Sequence, residues 1–435
     1  MNRRFQDLKA DIIDKGLCTG CGTCVGACPH HCITMKRERD EPEPALSRDC
    51  PGCKICYAAC PGKDVPLRDM EDFFFGTRRA LTSQDIGVYR TFGQGYAADQ
   101  TVRRAGASGG MVTALLQYAL DVGMVDGVLV TGFDEQEPYY TKPFLVTSSH
   151  HVVEFAQSKY SMVPINVLLE EAVRSGIRRL AVVGCPCHIH GIRKLQMFKL
   201  RPDITNAVTL VIGLFCGTQY YFEGTRHILV EECGVDVGDV RNLQYRGGGW
   251  PGHFIVDTRD GQRAEVDRHH YVYHILSPGY RRDRCMMCLD WSSEISDLSV
   301  GDHFAAPREG EVPLGVTSFI VRSEAGERLI KESEGKGYIK TQPLEIEQIF
   351  SSPGFEMKKH SAGYRWAQRR LYGWPTPDYQ YEPIYEPFRK KINLAPEKKE
   401  INFQKEREGF DNDRKIGMAG QCGVSDDLQR NGSFR

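Results

Sequence analysis

The chain has 435 residues, a formal net charge of -1, 26% charged residues and 16 cysteines. At roughly 100–200 residues per domain the length predicts two or three domains; the near-neutral balance argues against a nucleic-acid partner, and no run of about 18 apolar residues predicts a membrane span. Met1 to Lys15 is a charged stretch with no apolar secretory segment, so the cysteines read as free thiols of a soluble protein in a reducing, anaerobic cytoplasm, carrying oxygen-sensitive metal.

Two copies of one cysteine run follow each other near the N-terminus. Cys18, Cys21, Cys24 and Cys28 lead to Pro29, and Cys50, Cys53, Cys56 and Cys60 lead to Pro61 at the same spacing. This is the ligand run of a bacterial two-cluster ferredoxin, in which three closely spaced thiolates hold one [4Fe–4S] cube and the fourth crosses to the other. The first cluster is expected on Cys18, Cys21, Cys24 and Cys60, and the second on Cys50, Cys53, Cys56 and Cys28. Zinc knuckles use paired cysteines with a long spacer and have no need of this cadence twice over. Cys32 falls outside the pattern and reads as a structural or spectator thiol.

Between the runs, Lys36 to Pro44 is charged and broken by prolines, which predicts a solvent loop. Asp72 to Gly76, with three phenylalanines, and then Gly87 to Ala97, with Gly93 and Gly95, read as a covered linker to a larger body. Arg78 and Arg79 read as a solvated pair.

From Ala105 short apolar runs alternate with amphipathic stretches. Ser108-Gly109-Gly110 opens a helix over Met111 to Val122, either as a simple N-cap and turn or as an anion site with free backbone amides. Strands are expected at Val125–Gly132, Arg179–Gly184 and Ala207–Phe215, with helices at Val163–Ser175 and from after His188 to Phe198. That is the βαβ grammar of a parallel or mixed sheet, whose sites collect beyond the carboxyl ends of strands. Cys187 and Cys216 both fall at such ends. Tyr245 to Gly252 reads as a glycine-rich turn between two further strands, and Cys285-x-x-Cys288 precedes a strand and turn at Asp297–Asp302. One Cys-x-x-Cys and two separate cysteines make four thiolates available to one site, for zinc or for a third iron–sulfur cluster.

In this order the motifs resemble the coenzyme F420 hydrogenase/dehydrogenase β-subunit family. The resemblance rests on the ferredoxin run, Ala107-Ser108-Gly109-Gly110, Ser158-Lys159-Tyr160, Gly184-Cys185-Pro186-Cys187-His188, Phe215-Cys216-Gly217, Tyr245 to Gly252, and Cys285-x-x-Cys288 with Gly301-Asp302, over residues 15 to 375. It implies an α/β main domain with a mixed sheet over 76–375, preceded by a small α+β bacterial-type ferredoxin domain over 1–75. It further implies FAD at Ser108, Gly109, Gly110 and Lys159, hydride exchange with coenzyme F420, and a third [4Fe–4S] cluster on Cys187, Cys216, Cys285 and Cys288. Where the family often has Gly-Thr-Pro-Cys, this chain has Gly184-Cys185-Pro186-Cys187, so Cys185 stands open as an alternative ligand to Cys187. A flavin is the usual converter between a two-electron hydride donor and one-electron clusters. No acid–base group is required, so His188, His190, His269 and His270 are left as core or surface residues.

Residues 376–435 are aromatic and proline-rich, then charged, and read as a polar tail, disordered or laid over a partner. The function expected is an electron-input subunit that passes electrons to a partner oxidoreductase such as formate dehydrogenase, hydrogenase or heterodisulfide reductase. NAD(P)H in place of F420, ferredoxin-driven reduction of an organic substrate, and a non-catalytic electron carrier are the alternatives.

Overall fold

The computed structural model describes residues 4–38, 40–79, 86–303, 314–350 and 352–383, so the polar tail from 384 and Cys422 lie outside the described residues. Residues Met1–Pro387 form one compact unit. At its centre is an eight-stranded sheet in the order β13-β3-β12-β11-β7-β6-β4-β5. β4 (Gly127–Phe133), β6 (Leu180–Gly184), β7 (Val208–Leu214) and β11 (Leu298–Asp302) run parallel. β5 (Thr141–Val146) flanks them antiparallel on one side, and β12 (Thr317–Val321), β3 (Thr91–Ala97) and β13 (Ile339–Gln342) continue antiparallel on the other. The parallel strands are near-continuous apolar runs because helices and the ferredoxin segment cover both faces; every residue of β6 is buried. The mixed α/β sheet is the expected fold, and the expected strands lie within a residue or two of the observed ones.

β8 (Val240–Gly247), β9 (His253–Thr258) and β10 (Arg263–Asp267) make a separate antiparallel sheet. The glycine-rich turn predicted between two strands is the β8–β9 connection.

Four expectations are corrected. Gly87 to Ala97 is largely strand rather than linker: β3 pairs with both β12 and β13, and its Gly93 is needed because a Cβ there would lie 2.7 Å from the ring of Phe319. The charged connector is a hairpin, β1 (Ile33–Glu38) with β2 (Glu41–Leu46), which tolerates Pro42 and Pro44 because each strand has only one paired edge. Its tip grips the main body through Arg226 to Asp40 at 2.5 Å, an Arg282–Glu41 ion pair and the Arg37 guanidinium 3.9 Å from the ring centre of Tyr140.

Arg79 is not solvated. Glu71, on the inward face of the helix Leu67–Phe75, is fully buried and pairs with Arg79 at 2.6 Å, and Arg79 also meets buried Glu294. Arg78 stays outside with Asp69 and Asp72. Lastly, Pro375 to Pro383 is laid over this chain's own ferredoxin segment: Asp378 exchanges backbone bonds with Lys63 and Val65, and Tyr379 and Tyr381 are buried. One apolar core joins Leu8, Leu17, Ala27 and Ala59 of that segment to Leu129, Ile189 and Trp366 of the main body.

Candidate functional site

The carboxyl ends of all four parallel strands meet one cavity of about 580 Å³. Thr131 comes from β4, Gly184 and Cys185 from the end of β6, Phe215 to Gln219 from beyond β7, and Gly301 and Asp302 from β11. Among the described residues positive charge dominates its walls: Lys159, Arg246, Arg268 and Arg281 line it, against the carboxylate of Asp302, which Arg246 already holds at 2.6 Å. Arg246 Nη2, Arg281 Nε, Gln157 Oε1 and Gln219 Oε1 are buried with no hydrogen-bond partner among the described residues. Each such orphan costs roughly 1–3 kcal/mol, so the cavity suits a large, polar, anionic occupant. A flavin dinucleotide fits that description.

Of the residues expected at a flavin, Ser108, Gly110 and Lys159 line this cavity. Gly110 is the N-cap of the helix Met111–Asp121, in left-handed backbone at φ 68°. Ser108 spends its hydroxyl on the Val316 carbonyl at 2.7 Å. Lys159 Nζ donates to the carbonyls of Phe155, Ala156 and Gln157 at 2.7, 2.7 and 3.2 Å. Burial lowers its amine to about 7, while the three carbonyls favour the ammonium. Gly109 is a backbone joint and is not part of the lining: its N–H bonds Leu314, its carbonyl bonds Ala97, and a Cβ at its φ of 75° would meet the Gly315 carbonyl at 3.1 Å.

Cys18, Cys21, Cys24 and Cys60 line one small cleft with Pro44 and Pro61. Burial, then the charges of Cys21, Cys18 and Cys60, hold the Cys24 thiol high, while burial and the charges of Cys53, Cys50 and Cys28 push Cys56 up to about 12. Cys32 lies against this second group, 3.5 Å from Cys28. At the third site, burial and the nearby sulfurs of Cys21, Cys216, Cys285 and Cys288 raise Cys187. Thiols so disfavoured as buried anions suit sites where iron compensates the thiolate charge. Among the described residues no three His, Cys, Asp or Glu side chains close on a single-ion position; thiolates around a cube stand apart by its width.

Cys185 differs from Cys187. It lines the cavity, accepts a bond from Gln219 Nε2 at 3.1 Å, and lies in hydrogen-bond contact with Cys216, which lowers Cys216 and raises Cys185. Cys185 also caps the helix Pro186–Met197. His188 on that helix accepts from the Cys185 backbone N–H and donates to the Val163 carbonyl, and its burial lowers it to about 4. It is a structural histidine, as is His190, which is paired with buried Asp290 at 2.7 Å.

Several contributors escaped the sequence. Asn166 joins the first cysteine run to the third site: its backbone N–H bonds Cys21, and its side chain bonds Thr23 and the His188 carbonyl, each at 2.8 Å. Against the cost of burial, the sulfurs of Cys288, Cys216 and Cys285 hold the Lys358 ammonium charged. Arg282, half-buried, acts on both Cys285 and Cys18 through its charge. Isolated polar residues of this kind carry no pattern, although the run Arg281-Arg282 beside Cys285 was a visible excess of charge.

Family models for the coenzyme F420 hydrogenase/dehydrogenase beta subunit match residues 93–170 with the N-terminal part and 177–347 with the C-terminal part, and a 4Fe-4S dicluster domain matches 10–61. The chain belongs to that family. It is 27% identical over 304 residues to coenzyme F420 hydrogenase subunit beta of Methanothermobacter thermautotrophicus, covering 67% of this chain and 99% of that one. It is 27% identical over 350 residues to the coenzyme F420-dependent sulfite reductase of Methanocaldococcus jannaschii, covering 77% of this chain and 49% of that protein. With F420-dependent formate dehydrogenase 1 subunit beta of Methanococcus maripaludis it shares 30% over 250 residues, 57% of this chain and 60% of that one. A chain of the F420-reducing [NiFe] hydrogenase complex of Methanosarcina barkeri matches in fold at a TM-score of 0.53 and 23% identity, over 70% of this chain and 98% of that chain. Among the described residues of this F420 hydrogenase/dehydrogenase beta-subunit relative, no helix is long and apolar enough to cross a membrane.

Proposed function

We propose that this chain is the electron-input subunit of an F420-dependent oxidoreductase, exchanging a hydride with coenzyme F420 at FAD and passing single electrons to a partner enzyme. The observation that carries the reading is that one cationic cavity has Lys159 and the Ser108–Gly110 helix start in its walls together with Cys185 and Cys216 of the third thiol group. FAD bound there would supply the exchange between a hydride pair and single electrons, and [4Fe–4S] clusters would carry those electrons.

The protein's part is placement. Gly110 leaves the helix start open to the cavity, and Lys159 and Arg246 supply charge for phosphate. Cys187, Cys216, Cys285 and Cys288 would hold the third cluster, with Lys358 as counter-charge, while Cys185 remains a thiol on the cavity wall. Cys18, Cys21, Cys24 and Cys60 would hold one ferredoxin cluster and Cys50, Cys53, Cys56 and Cys28 the other. Asn166, bonded to both Cys21 and the start of the Pro186–Met197 helix, fixes the first ferredoxin site relative to the third.

The test is anaerobic. Protein reconstituted with iron, sulfide and FAD is mixed with reduced F420, and deazaflavin fluorescence is followed together with bleaching of the iron–sulfur absorbance. Both should change together, and only in flavin-loaded protein. Retention of no flavin, or oxidation of NADPH in place of reduced F420, would overturn the cofactor or the substrate respectively.

A further inference from the structure

Beside the cavity runs a π-helical turn, His270–Leu276, whose outer face is unused by the flavin and cluster sites. π-helical turns often mark functional sites. Tyr273 belongs to the cavity wall yet is 37% exposed, so it stands at the opening. The His269 ring lies 4.9 Å from that of Tyr273. Behind them Arg268 and Arg281 line the wall. Arg268 Nε has only the Tyr160 hydroxyl, at 3.4 Å, and Arg281 Nε is buried without a partner among the described residues. Among the described residues the nearby acids are engaged elsewhere: Glu232 holds His270 at 3.0 Å, Asp267 accepts from the His270 backbone, and Asp302, whose charge also reaches Arg268, is paired with Arg246 at 2.6 Å.

We infer that Arg268, His269, Tyr273 and Arg281 form a rim that recognises the anionic chain of the deazaflavin, its phosphodiester and glutamyl carboxylates, while the ring end enters the cavity. The inference rests on the F420 reading and adds the feature that would select F420 over a deazaflavin without its chain. Guanidinium forks match phosphate and carboxylate geometry, and imidazole N–H and phenol O–H groups donate to the same oxygens. Of the four cations that line the cavity, Lys159 and Arg246 are the ones assigned to FAD phosphate, and they lie on other elements; Arg268 and Arg281, at the Tyr273 side, are left for a second ligand.

FAD-loaded, iron-replete protein is titrated with F420 and with the chain-free deazaflavin that ends at its ribityl group, by fluorescence, and oxidation of the reduced form of each is timed. Wild type should bind F420 roughly tenfold or more tightly than the chain-free form, since a charge-assisted contact is worth about that factor. Arg268→Gln should shrink the ratio several-fold, with the loss in KM. His269→Glu, on the exposed surface where folding is not at stake, should do the same by repelling the chain. An unchanged ratio in both variants, or wild type that binds the two deazaflavins equally, overturns the rim. Wild type that shows the preference without oxidising reduced F420 supports the rim and removes the proposed function; binding of neither deazaflavin removes both.

Discussion

Lys194, on the helix Pro186–Met197, donates from Nζ to the backbone carbonyl of Cys60 across 2.7 Å. The same ammonium meets the Asp64 carbonyl and carboxylate, each at 3.0 Å, and Arg284 treats the carbonyls of Gly62 and Pro61 likewise at 3.0 and 3.2 Å. Two buried cations of the main body thus clamp the backbone that follows the second cysteine run. Lys194→Met should cost about 2–4 kcal/mol, because charge-assisted bonds are lost and carbonyls stay buried. Thermal unfolding of cluster-loaded protein should show a Tm several degrees lower; an unmoved Tm would show the clamp adds no stability.

Neighbouring arginines should behave in opposite ways. Arg79→Leu removes the ion pair of Glu71 and one of the two ion pairs of Glu294, which for a broken buried pair costs about 3–5 kcal/mol. Arg78→Ala removes only exposed pairs and should change stability by less than about 1 kcal/mol. Urea denaturation of the two variants side by side measures the difference, and equal midpoints would contradict the buried network.

Iron content separates the thiols. If the three clusters are held as proposed, Cys288→Ser and Cys187→Ser should each retain about eight of about twelve irons, with the ferredoxin signals preserved, since the ferredoxin clusters would draw on other cysteines. Cys185→Ser should keep the full complement. Metal analysis and electron paramagnetic resonance decide it, and loss of the third cluster from Cys185→Ser alone would exchange the roles of Cys185 and Cys187.

Lys159 should give the cavity a pH signature. With its amine lowered to about 7 by burial, and an ordinary lysine near 10.4, the unfolded chain holds more protons between those values, so this group adds stability as pH rises through that window and adds none below about 7. In FAD-free protein, Tm against pH should climb more steeply from pH 7 to 10 for wild type than for Lys159→Met. FAD, by bringing phosphate charge near the amine, should flatten the difference. Identical slopes without FAD would place the amine in water.

The cysteine cadence and the apolar strand runs were legible in the sequence because each encodes a local rule: metal spacing in one case, burial on both faces of a parallel sheet in the other. Cys185 and Cys216 reach the cavity because each stands just beyond the end of a parallel strand. Arg79 was misjudged because burial of a charge depends on partners, and Glu294 is more than two hundred positions away. Prolines in β2 and glycines in β3 lowered strand propensity that tertiary pairing overrode. Gly109 and Gly110 look alike in sequence; only the packing against Gly315 assigns one to a joint and the other to the cavity wall. The cations at 246, 268 and 281 are scattered over two strands' ends and a loop, so no periodicity announces them.

Asp69 and Gln380 bond side chain to side chain and side chain to backbone although they stand 311 positions apart, in the same strap whose Asp378 pairs with Lys63 and Val65. During synthesis the ferredoxin segment leaves the ribosome early and the strap late. Until position 380 has emerged, the Val65 amide and the Asp69 helix start wait for partners that only residues 378 and 380 supply. Cutting the chain at 375 would therefore remove a seam of the dicluster segment itself, and excising the first 75 residues would leave Tyr379 and Tyr381 without part of the surface they cover.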